Sequence, residues 1–599
     1  MQVTVLTEIP EDPNLSEAWN TLVLTLDHPE VFFTYQWALA ASRGFQGHLS
    51  TLLFLMYDSG QLAGVVALAT DPKSPRAAFF LTSGTADYCD IVSTPANRRA
   101  VLGALLEEIE KLGVNDLVLA NVPANSATLQ ELNQVAGPRR FYVTSRAAYN
   151  CGVVQLEDEG QRETLLQTLA NKGREKRALK KLTNLGVVKV VHLTEPEQIG
   201  TSLEAIVSAQ ISRFLASNRV SPLVGPERRT FLRHLSDLLS HSGWLKISQL
   251  EIDGRPVAWN YGYKFAGSWF WYLPTFQMEY EHVSPGSCLL RFLVEEGARD
   301  ASVKWLDLGL GDESYKDRFA NNVRQTRYVR LSRGFPRHVA TVGRQMATRA
   351  AARFPQLGNK LREVRAIYQD GADRVRETGI VATTRYSIQK ALRSISSQDE
   401  VLLFDAPVSD GLHPPPMELV PLTRQHLVEA SILNAGDVRT LRYLMRCANR
   451  FGRSGPSGYV LRDEAGRPIH FLWTDCYNGF HLSEIDHSLD RSSPYAAMIF
   501  DCWTPVADRG RGYYAAAIRE AAANLQREGK TAWIFSAAGN ASSLRGILTA
   551  GFEYRFSLVR RRRLGRSTIT RQESTSAISL PAHRRMSPKP FPKSRTDVA

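Results

Sequence analysis

The sequence predicts a mixed α/β (α+β) fold in which mainly antiparallel sheets are flanked by helices, and it predicts this arrangement three times. The first observation is a recurring pair of apolar segments joined by a short turn rich in Gly and Asp, a pattern typical of a β-hairpin. The copies lie at residues 51–70, 245–264 and 458–474. The second observation is that each copy leads into a helical segment and a further apolar strand. The third is length, because 599 residues suffice for several domains of roughly 100–200 residues.

The segments after the first two hairpins give the elements of each unit in order. After the first, Asp87-Tyr88-Cys89-Asp90 precedes a predicted helix at 95–112 and a strand at 116–120, a degenerate version of the unit. After the second, an aromatic strand at 268–273 leads into Ser284-Pro285-Gly286, where an amphipathic helix is predicted to begin. Ser is a favoured helix N-cap, and Pro suits the first helical position.

The third hairpin is followed by a predicted strand at 480–484 and another at 497–503. A helix is predicted at 513–528, where apolar residues recur at helical spacing. The divisions that follow are 1–150 (degenerate first unit), 151–335 (second unit), 336–400 (basic helical linker), 401–565 (third unit) and 566–599 (basic, Ser/Pro-rich, disordered tail).

The linker carries apolar residues at helical spacing on a basic background. Such a helix packs on a neighbouring domain or lies on an anionic membrane surface, and the sequence leaves both interpretations open. The net charge of +13 favours a polyanionic partner: nucleic acid, anionic lipid or an acidic ligand.

Several classes of protein are disfavoured by the composition. No window reaches the roughly 18 apolar residues of a membrane span, and the first residues lack a basic-then-apolar leader, so a cytoplasmic location is expected, with peripheral membrane contact as the variant. Six widely spaced cysteines without a CxxC pattern argue against zinc and a disulfide framework. We expect no metal, and the cysteines to be buried.

The order of motifs at 268–319 resembles the second half of the FemAB-like (CelD-like) acyltransferases, a tandem branch of the GNAT superfamily. It comprises the aromatic strand, Ser284-Pro285-Gly286, a strand ending in Asp307-Leu308-Gly309, and a charged loop with Tyr315-Lys316. The segment at 19–37 resembles the family's entry helices, and the basic segment at 173–186 resembles its linker. The resemblance implies an acyl transfer from a coenzyme A thioester to an amine.

The resemblance also implies site residues in the second unit. Ser284 and Gly286 would hold the donor's pyrophosphate at a helix start, whose free N–H groups suit an anion. Lys316 matches the family's lysine linked to the transfer step and would hold a phosphate or stabilise the oxyanion. Asp307 would act as the base or cap a turn, and Glu313 is an alternate base.

Residues 401–565 resemble a single GNAT domain. The loop Arg509-Gly510-Arg511-Gly512 resembles the superfamily's acyl-coenzyme A motif, although Tyr514 replaces its last small residue. Asn540 and Ser543 would complete the donor site, with Gly551-Phe552 at the superfamily's spacing after Asn540.

The general acid of this unit departs from the family pattern. Many superfamily members carry a general-acid Tyr where this chain has Ile547, so the thiolate would be protonated by water or Tyr554, or the unit no longer catalyses. Glu484 and Asp501, predicted on adjacent strands, are the candidate bases.

The predicted function is an acyl-coenzyme A-dependent N-acyltransferase, with acetyl as the expected group and no aminoacyl transfer. The CelD-like resemblance implies a sugar amine or other small-molecule acceptor of envelope or exopolysaccharide (cellulose-like) production. One alternative is an aminoacyl-tRNA donor, as in FemAB enzymes that extend cell-wall peptides; the basic segments would then contact the tRNA backbone. Another is that the C-terminal unit binds acyl-coenzyme A or regulates without catalysing. The oligomeric state is left open.

Overall fold

The structure is a computed structural model that describes residues 1–171, 173–311, 313–335, 338–339, 342–343, 346, 396–407, 418–452, 454–490, 495–563 and 566–573. The chain divides into two compact units. Unit 1 comprises residues 1–368 and 427–449, and unit 2 comprises residues 369–426 and 450–599. The finer boundaries predicted at 150, 335 and 400 stay predictions.

The helices of unit 1 are α1 (Pro13–Leu24), α2 (Tyr35–Gly44), α3 (Arg98–Lys111), α4 (Ala127–Ala136), α5 (Glu159–Asn171), α6 (Gly173–Thr183), α7 (Pro196–Ala216), α8 (Pro226–His241) and α9 (Pro285–Arg299). Two further helices, α10 (Arg424–Leu433) and α11 (Val438–Ala448), lie mainly in the 427–449 segment. The strands are β1 (Gln2–Leu6), β2 (Ser50–Asp58), β3 (Gln61–Asp71), β4 (Ser74–Phe80), β5 (Val92–Ser93), β6 (Asp116–Pro123), β7 (Phe141–Gln155), β8 (Val188–Leu193), β9 (Leu245–Ile252), β10 (Arg255–Phe265), β11 (Ser268–Phe276), β12 (Trp305–Leu310) and β13 (Asn322–Arg333).

These thirteen strands form one sheet in the described part of unit 1, in the order β1-β2-β3-β4-β6-β13-β7-β12-β11-β10-β9-β8, with β5 paired to β3. The predicted hairpins are present as β2–β3 and β9–β10. Each leads into a third antiparallel strand, a helix and a strand parallel to that third strand: β4 with β6, and β11 with β12. The two halves of the sheet therefore repeat one topology.

The last strands of the two halves are exchanged. β7 follows the first half along the chain, yet it pairs with β12 of the second half. β13 ends the second half and pairs with β6 of the first. β7 and β13 also pair with each other, from Asn322 opposite Val153 to Arg333 opposite Phe141. The centre of the sheet is thus built from both halves.

Helix α9 covers one face of the second half. It begins at Pro285, and apolar side chains at a spacing of three to four residues, including Leu289 and Leu293, are buried against Leu306 and Trp269 in one core cluster. Burying this stripe is what holds the crossover helix on the sheet.

Unit 2 repeats the same topology a third time. Its strands are β14 (Ser396–Asp405), β15 (Glu418–Pro421), β16 (Ser457–Arg462), β17 (Pro468–Cys476), β18 (His481–Leu482), β19 (His487–Ser488), β20 (Ala496–Trp503), β21 (Thr531–Ala537), β22 (Glu553–Arg563) and β23 (Arg566–Gln572). Its remaining helices are α12 (Tyr513–Arg527) and α13 (Ala541–Thr549). The described strands give a sheet ordered β15-β16-β17-β20-β21-β14-β22-β23, with β18–β19 as a separate pair. The predicted fold class, mixed mainly antiparallel sheets flanked by helices in three GNAT-like units, is confirmed.

Two expectations for unit 2 are wrong in detail. The predicted strand at 480–484 does not join the main sheet: β17 pairs directly with β20, and the segment forms the small β18–β19 hairpin. The prediction of disorder from residue 566 is wrong for residues 566–572, because they form β23, which pairs along β22 from Arg566 to Gln572. Arg560 of β22 forms an ion pair with Asp399 of β14.

The predicted linker at 336–400 lies mostly outside the described residues, although 396–400 belong to β14. Residues 574–599 also lie outside them. Four cysteines are buried and Cys502 is partly so, whereas Cys476 is exposed, contrary to expectation. None of the described helices is long and apolar enough to cross a membrane.

Candidate functional site

A groove opens in unit 2 where two parallel strands separate. β20 and β21 are paired from Ala496 opposite Thr531 to Ile499 opposite Ile534. Beyond Ile499 a bulge places Asp501 at φ +46° and shifts the pairing of β20 with β17. Because the ladder ends there, backbone groups of β20 and β21 beyond Ile499 and Ile534 are not paired between the two strands.

The loop after β20 closes one end of the groove. Gly510 (φ +79°) and Gly512 (φ +82°) turn the chain into α12, and Gly512 is its N-cap. The N–H groups of the first helical turn have no intrahelical partner, so they form a site for an anion. Arg509 lies beside them: its Nε donates to the Thr504 carbonyl (3.1 Å), and its guanidinium lies over the Trp503 ring.

Helix α13 forms the facing wall. Asn540 caps it by accepting a hydrogen bond from the Ser543 N–H (3.2 Å). The Tyr514 hydroxyl lies 3.0 Å from Ser543 Oγ, and its ring occupies the space left by Gly546, where a Cβ would clash with it. Tyr514, the departure from the motif, therefore spans from α12 to α13 across the groove.

The superfamily's usual acid position cannot serve here. Ile547 is fully buried in the core. The Tyr554 hydroxyl donates to the Gln572 carbonyl (3.4 Å), and its ring packs on Phe404. Within the described residues, Tyr514 is the phenol that lines the groove together with Tyr513.

The two candidate bases differ in their surroundings. Asp501, at the bulge, forms an ion pair with Arg450. Glu484 is exposed in the turn between β18 and β19, so the prediction that it lies on a strand adjacent to Asp501 is wrong. Its carboxylate accepts from the Ser483 hydroxyl (3.3 Å). Of the two, Glu484 is the carboxylate less engaged by a cation.

The groove has a volume of about 810 Å³ and brings together seven of the residues predicted from the sequence. They are Glu484, Asp501, Arg509, Gly510, Gly512, Asn540 and Ser543. Arg511 is not among the lining residues; it points to solvent, 3.9 Å from Asp508. This arrangement offers an anion site, a cleft between strands and carboxylates in one space.

In unit 1, a helix begins at Ser284-Pro285-Gly286 as predicted, but the expected side-chain hydrogen bond of Ser284 at the N-cap position does not form. Ser284 adopts φ +54° and ψ +52°, and its side chain makes no capping hydrogen bond. A Cβ on Gly286 would lie 3.4 Å from the Phe276 ring, so Gly286 is in close contact with β11. The N-cap expectation fails because the chain enters α9 in the left-handed region, which turns the Ser side chain away from the first N–H groups.

Lys316 is buried, with 5% of its surface exposed. Its Nζ donates to the carbonyls of Leu310 (2.7 Å), Gly309 (3.2 Å) and Gly311 (3.4 Å), and it forms an ion pair with Glu313 (2.8 Å). The ammonium thus fixes the turn at the end of β12.

Asp307 is also buried and joins the two halves. Its carboxylate accepts from the Gly309 N–H (2.8 Å) and the Tyr88 hydroxyl (2.7 Å), and lies 3.3 Å from Arg324. Arg324 in turn pairs with Glu30 (2.7 Å), whose pKa burial raises to about 7. Asp307 therefore both caps a turn, as one of its two predicted roles, and anchors the first half.

Asp87 was missed as a site residue, although its tetrapeptide stood out in the sequence. Burial, followed by repulsion from Asp307, raises its pKa to about 7, against the opposing effects of Lys316 and the Leu310 N–H. It lines a cavity of about 550 Å³ together with Arg146, Arg228 and Tyr272. A carboxyl that titrates near neutrality beside a cavity is suited to proton transfer, and only the tertiary fold creates that environment.

The separated parallel strands, the crossover helix with its glycine-rich start and the threefold repetition are consistent with GNAT-like folds. A family model described as "Acetyltransferase (GNAT) domain" matches residues 171–317. The chain therefore carries a GNAT acetyltransferase domain over these residues, which supports an acyltransferase in general terms; such domains use acyl-coenzyme A as co-substrate.

Solved structures are similar to this chain at low identity. A conserved protein of unknown function from Bacteroides thetaiotaomicron is 13% identical, covers 55% of this chain and all of its own, and has a TM-score of 0.38. FemX is 9% identical over 55% of this chain and 97% of its own, with a TM-score of 0.39. A tandem GNAT protein from the clavulanic acid biosynthesis pathway is 12% identical over 55% and 98%, with a TM-score of 0.33. A search of curated proteins gave no match.

Proposed function

We propose that this protein is an acyl-coenzyme A-dependent N-acyltransferase, with acetyl as the transferred group, and that the groove of unit 2 binds the donor. The observation that supports this most is the convergence of the predicted residues on one groove at the start of α12. The donor's pyrophosphate would lie on the α12 N–H groups beside Arg509, and its thioester between β20 and β21.

The groove residues then have defined tasks. Glu484 removes a proton from the acceptor ammonium, and the free amine attacks the thioester carbonyl. Backbone N–H groups exposed at the bulge stabilise the tetrahedral oxyanion. Collapse breaks the carbon–sulfur bond and forms the amide, whose nitrogen gives up its second proton. That proton reaches the released thiolate through water or the Tyr514 hydroxyl. The acceptor class we propose is a sugar amine of envelope or exopolysaccharide production, and an acceptor screen with acetyl-coenzyme A tests it.

Isothermal titration with acetyl-coenzyme A tests donor binding. We expect the wild type to bind and Arg509→Ala to weaken binding about tenfold, which corresponds to the loss of one charge-assisted contact. Arg527→Ala, at the other end of α12, is the matched control and should bind as the wild type does. Absence of binding to the wild type would overturn the proposal.

Unit 1 is the second candidate for catalysis, because Asp87 lines a cavity there and the family model matches its second half. In that case unit 2 is a donor-binding or regulatory module. Turnover with a natural acceptor separates the two: loss in Glu484→Gln with full activity in Asp87→Asn supports unit 2, and the reverse supports unit 1. Donor titration of both variants shows whether the groove itself is intact.

The alternative to acyl-coenzyme A as the donor substrate is an aminoacyl-tRNA. The observation in its favour is the exposed basic surface of α6, formed by Arg174, Lys176, Arg177, Lys180 and Lys181. Contacts with a nucleic acid backbone weaken steeply with salt. Filter binding of charged tRNA that persists at physiological salt, together with no binding of acetyl-coenzyme A, would favour this donor.

A further inference from the structure

His470 lies on β17 with 1% of its surface exposed, and it lines the groove of unit 2. Its Nδ1 is 2.7 Å from the Thr504 hydroxyl, which fixes the ring. Its Nε2 is buried and has no hydrogen-bond partner among the described residues. A buried polar atom left without a partner is rare in folded proteins, and at the wall of a cavity it indicates a ligand contact.

Burial alone lowers the pKa of His470 to about 3. The imidazole is therefore neutral at physiological pH, with one nitrogen donating and the other accepting. Because the Thr504 hydroxyl can donate or accept, either tautomer is compatible with the fixed ring. The unpartnered Nε2 is suited to a neutral hydrogen bond and not to an ion pair.

The neighbours of His470 in the groove indicate which part of a bound donor it would contact. Thr504 immediately precedes the loop that leads to Gly512, and the rings of His470 and Tyr514 have centroids 5.7 Å apart. Asp501, on the neighbouring strand, lines the same space. His470 therefore lines the same groove as Asp501 and lies beside the residues that lead into the anion site at the start of α12.

We propose that His470 Nε2 forms a hydrogen bond with an amide of the pantetheine arm and so positions the thioester. This inference rests on the donor site proposed above. An extended donor whose pyrophosphate lies on α12, and whose thioester lies near Glu484 and Asp501, would run along the groove wall that His470 lines. The arm carries secondary amides that offer both a carbonyl acceptor and an N–H donor, which matches either tautomer. His470 is thus a positioning residue that does not touch the reacting atoms.

Two ligands separate this contact from a general effect on the groove. Coenzyme A carries the arm, whereas 3′-phospho-ADP carries the same nucleotide and pyrophosphate without it. By isothermal titration, we expect His470→Phe to weaken coenzyme A about tenfold, the equivalent of one hydrogen bond, and to leave 3′-phospho-ADP unchanged. His470→Gln, which retains a polar amide, should recover part of the loss.

Coenzyme A binding that is unchanged in His470→Phe would overturn the inference while the donor site stands. Equal weakening of both ligands would also overturn it, since the residue would then only support the groove. If the wild type binds neither ligand, the proposed donor site fails, and the role of His470 fails with it. Retained 3′-phospho-ADP binding also shows that the variant is folded.

Discussion

Asp87 makes the stability of unit 1 depend on pH with a sign opposite to that of most acids. Its pKa rises to about 7 on folding, mainly through burial, so between about pH 4 and 7 the folded state binds a proton that the unfolded state has released. Stability is therefore lost as the pH rises through this window. We expect Asp87→Asn to match the wild type at pH 4 and to be more stable by about 1–2 kcal/mol at pH 8.

Denaturant unfolding at both pH values measures this difference. The exposed Asp58 at a hairpin end provides the control, since Asp58→Asn should show no pH-dependent gain. A gain for Asp87→Asn that is equal at pH 4 and pH 8 would contradict the assignment, because the effect would then not come from the ionisation of this carboxyl.

Lys316 is predicted from the resemblance to act in the transfer step, yet its ammonium is held by three carbonyls and Glu313. Removing it leaves buried acceptors unpaired. We expect Lys316→Met to lower the free energy of unfolding by about 2–4 kcal/mol, whereas the exposed Lys111→Met should change it little. Unchanged stability combined with lost turnover would instead favour the transfer role.

At the scale of elements, α12 and α13 pack through a contact between the Tyr514 ring and Gly546. A Cβ on Gly546 would clash with the Tyr514 ring, although Ala is otherwise favoured over Gly inside a helix by about 1 kcal/mol. Gly546→Ala should therefore destabilise unit 2 in the wild type and stabilise it in a Tyr514→Ala background. A double-mutant cycle by thermal unfolding measures this coupling. Additive effects would show that the ring does not rest on Gly546.

The elements that local chemistry specifies were predictable. The turn Asp253-Gly254 adopts positive φ at both residues, which the sequence of a tight hairpin indicates. Ser284 was not predictable in this way. Serine is a residue type that suits an N-cap, but its backbone conformation here depends on the path of the chain between β11 and α9. The segment at 480–484 has strand-like composition, yet pairing of β17 with β20 excludes it from the sheet.

At the scale of the whole molecule, the sequence predicts the repeated units but not their exchange of strands. The partners of β7 and β13 are separated by more than a hundred residues, and nothing local distinguishes pairing within a half from pairing across halves. For the same reason, the environment of Asp87 could not be predicted from the sequence, because its neighbours Asp307 and Lys316 come from the other half. The groove of unit 2 was predictable because its residues lie mostly within one continuous stretch of chain.

The exchange implies that the halves of unit 1 depend on each other for folding. A fragment of residues 159–599 lacks β6 and β7, so β12 would expose an unpaired edge and β13 would lose both of its partner strands. A fragment of residues 1–158 would leave β6 and β7 without β13 and β12. We expect each fragment to be insoluble when expressed alone. Co-expressed, they should copurify as a one-to-one complex that protects the β7 and β13 amides from hydrogen exchange as in the intact chain. A soluble 159–599 fragment with native protection in β12 and β13 would contradict this dependence.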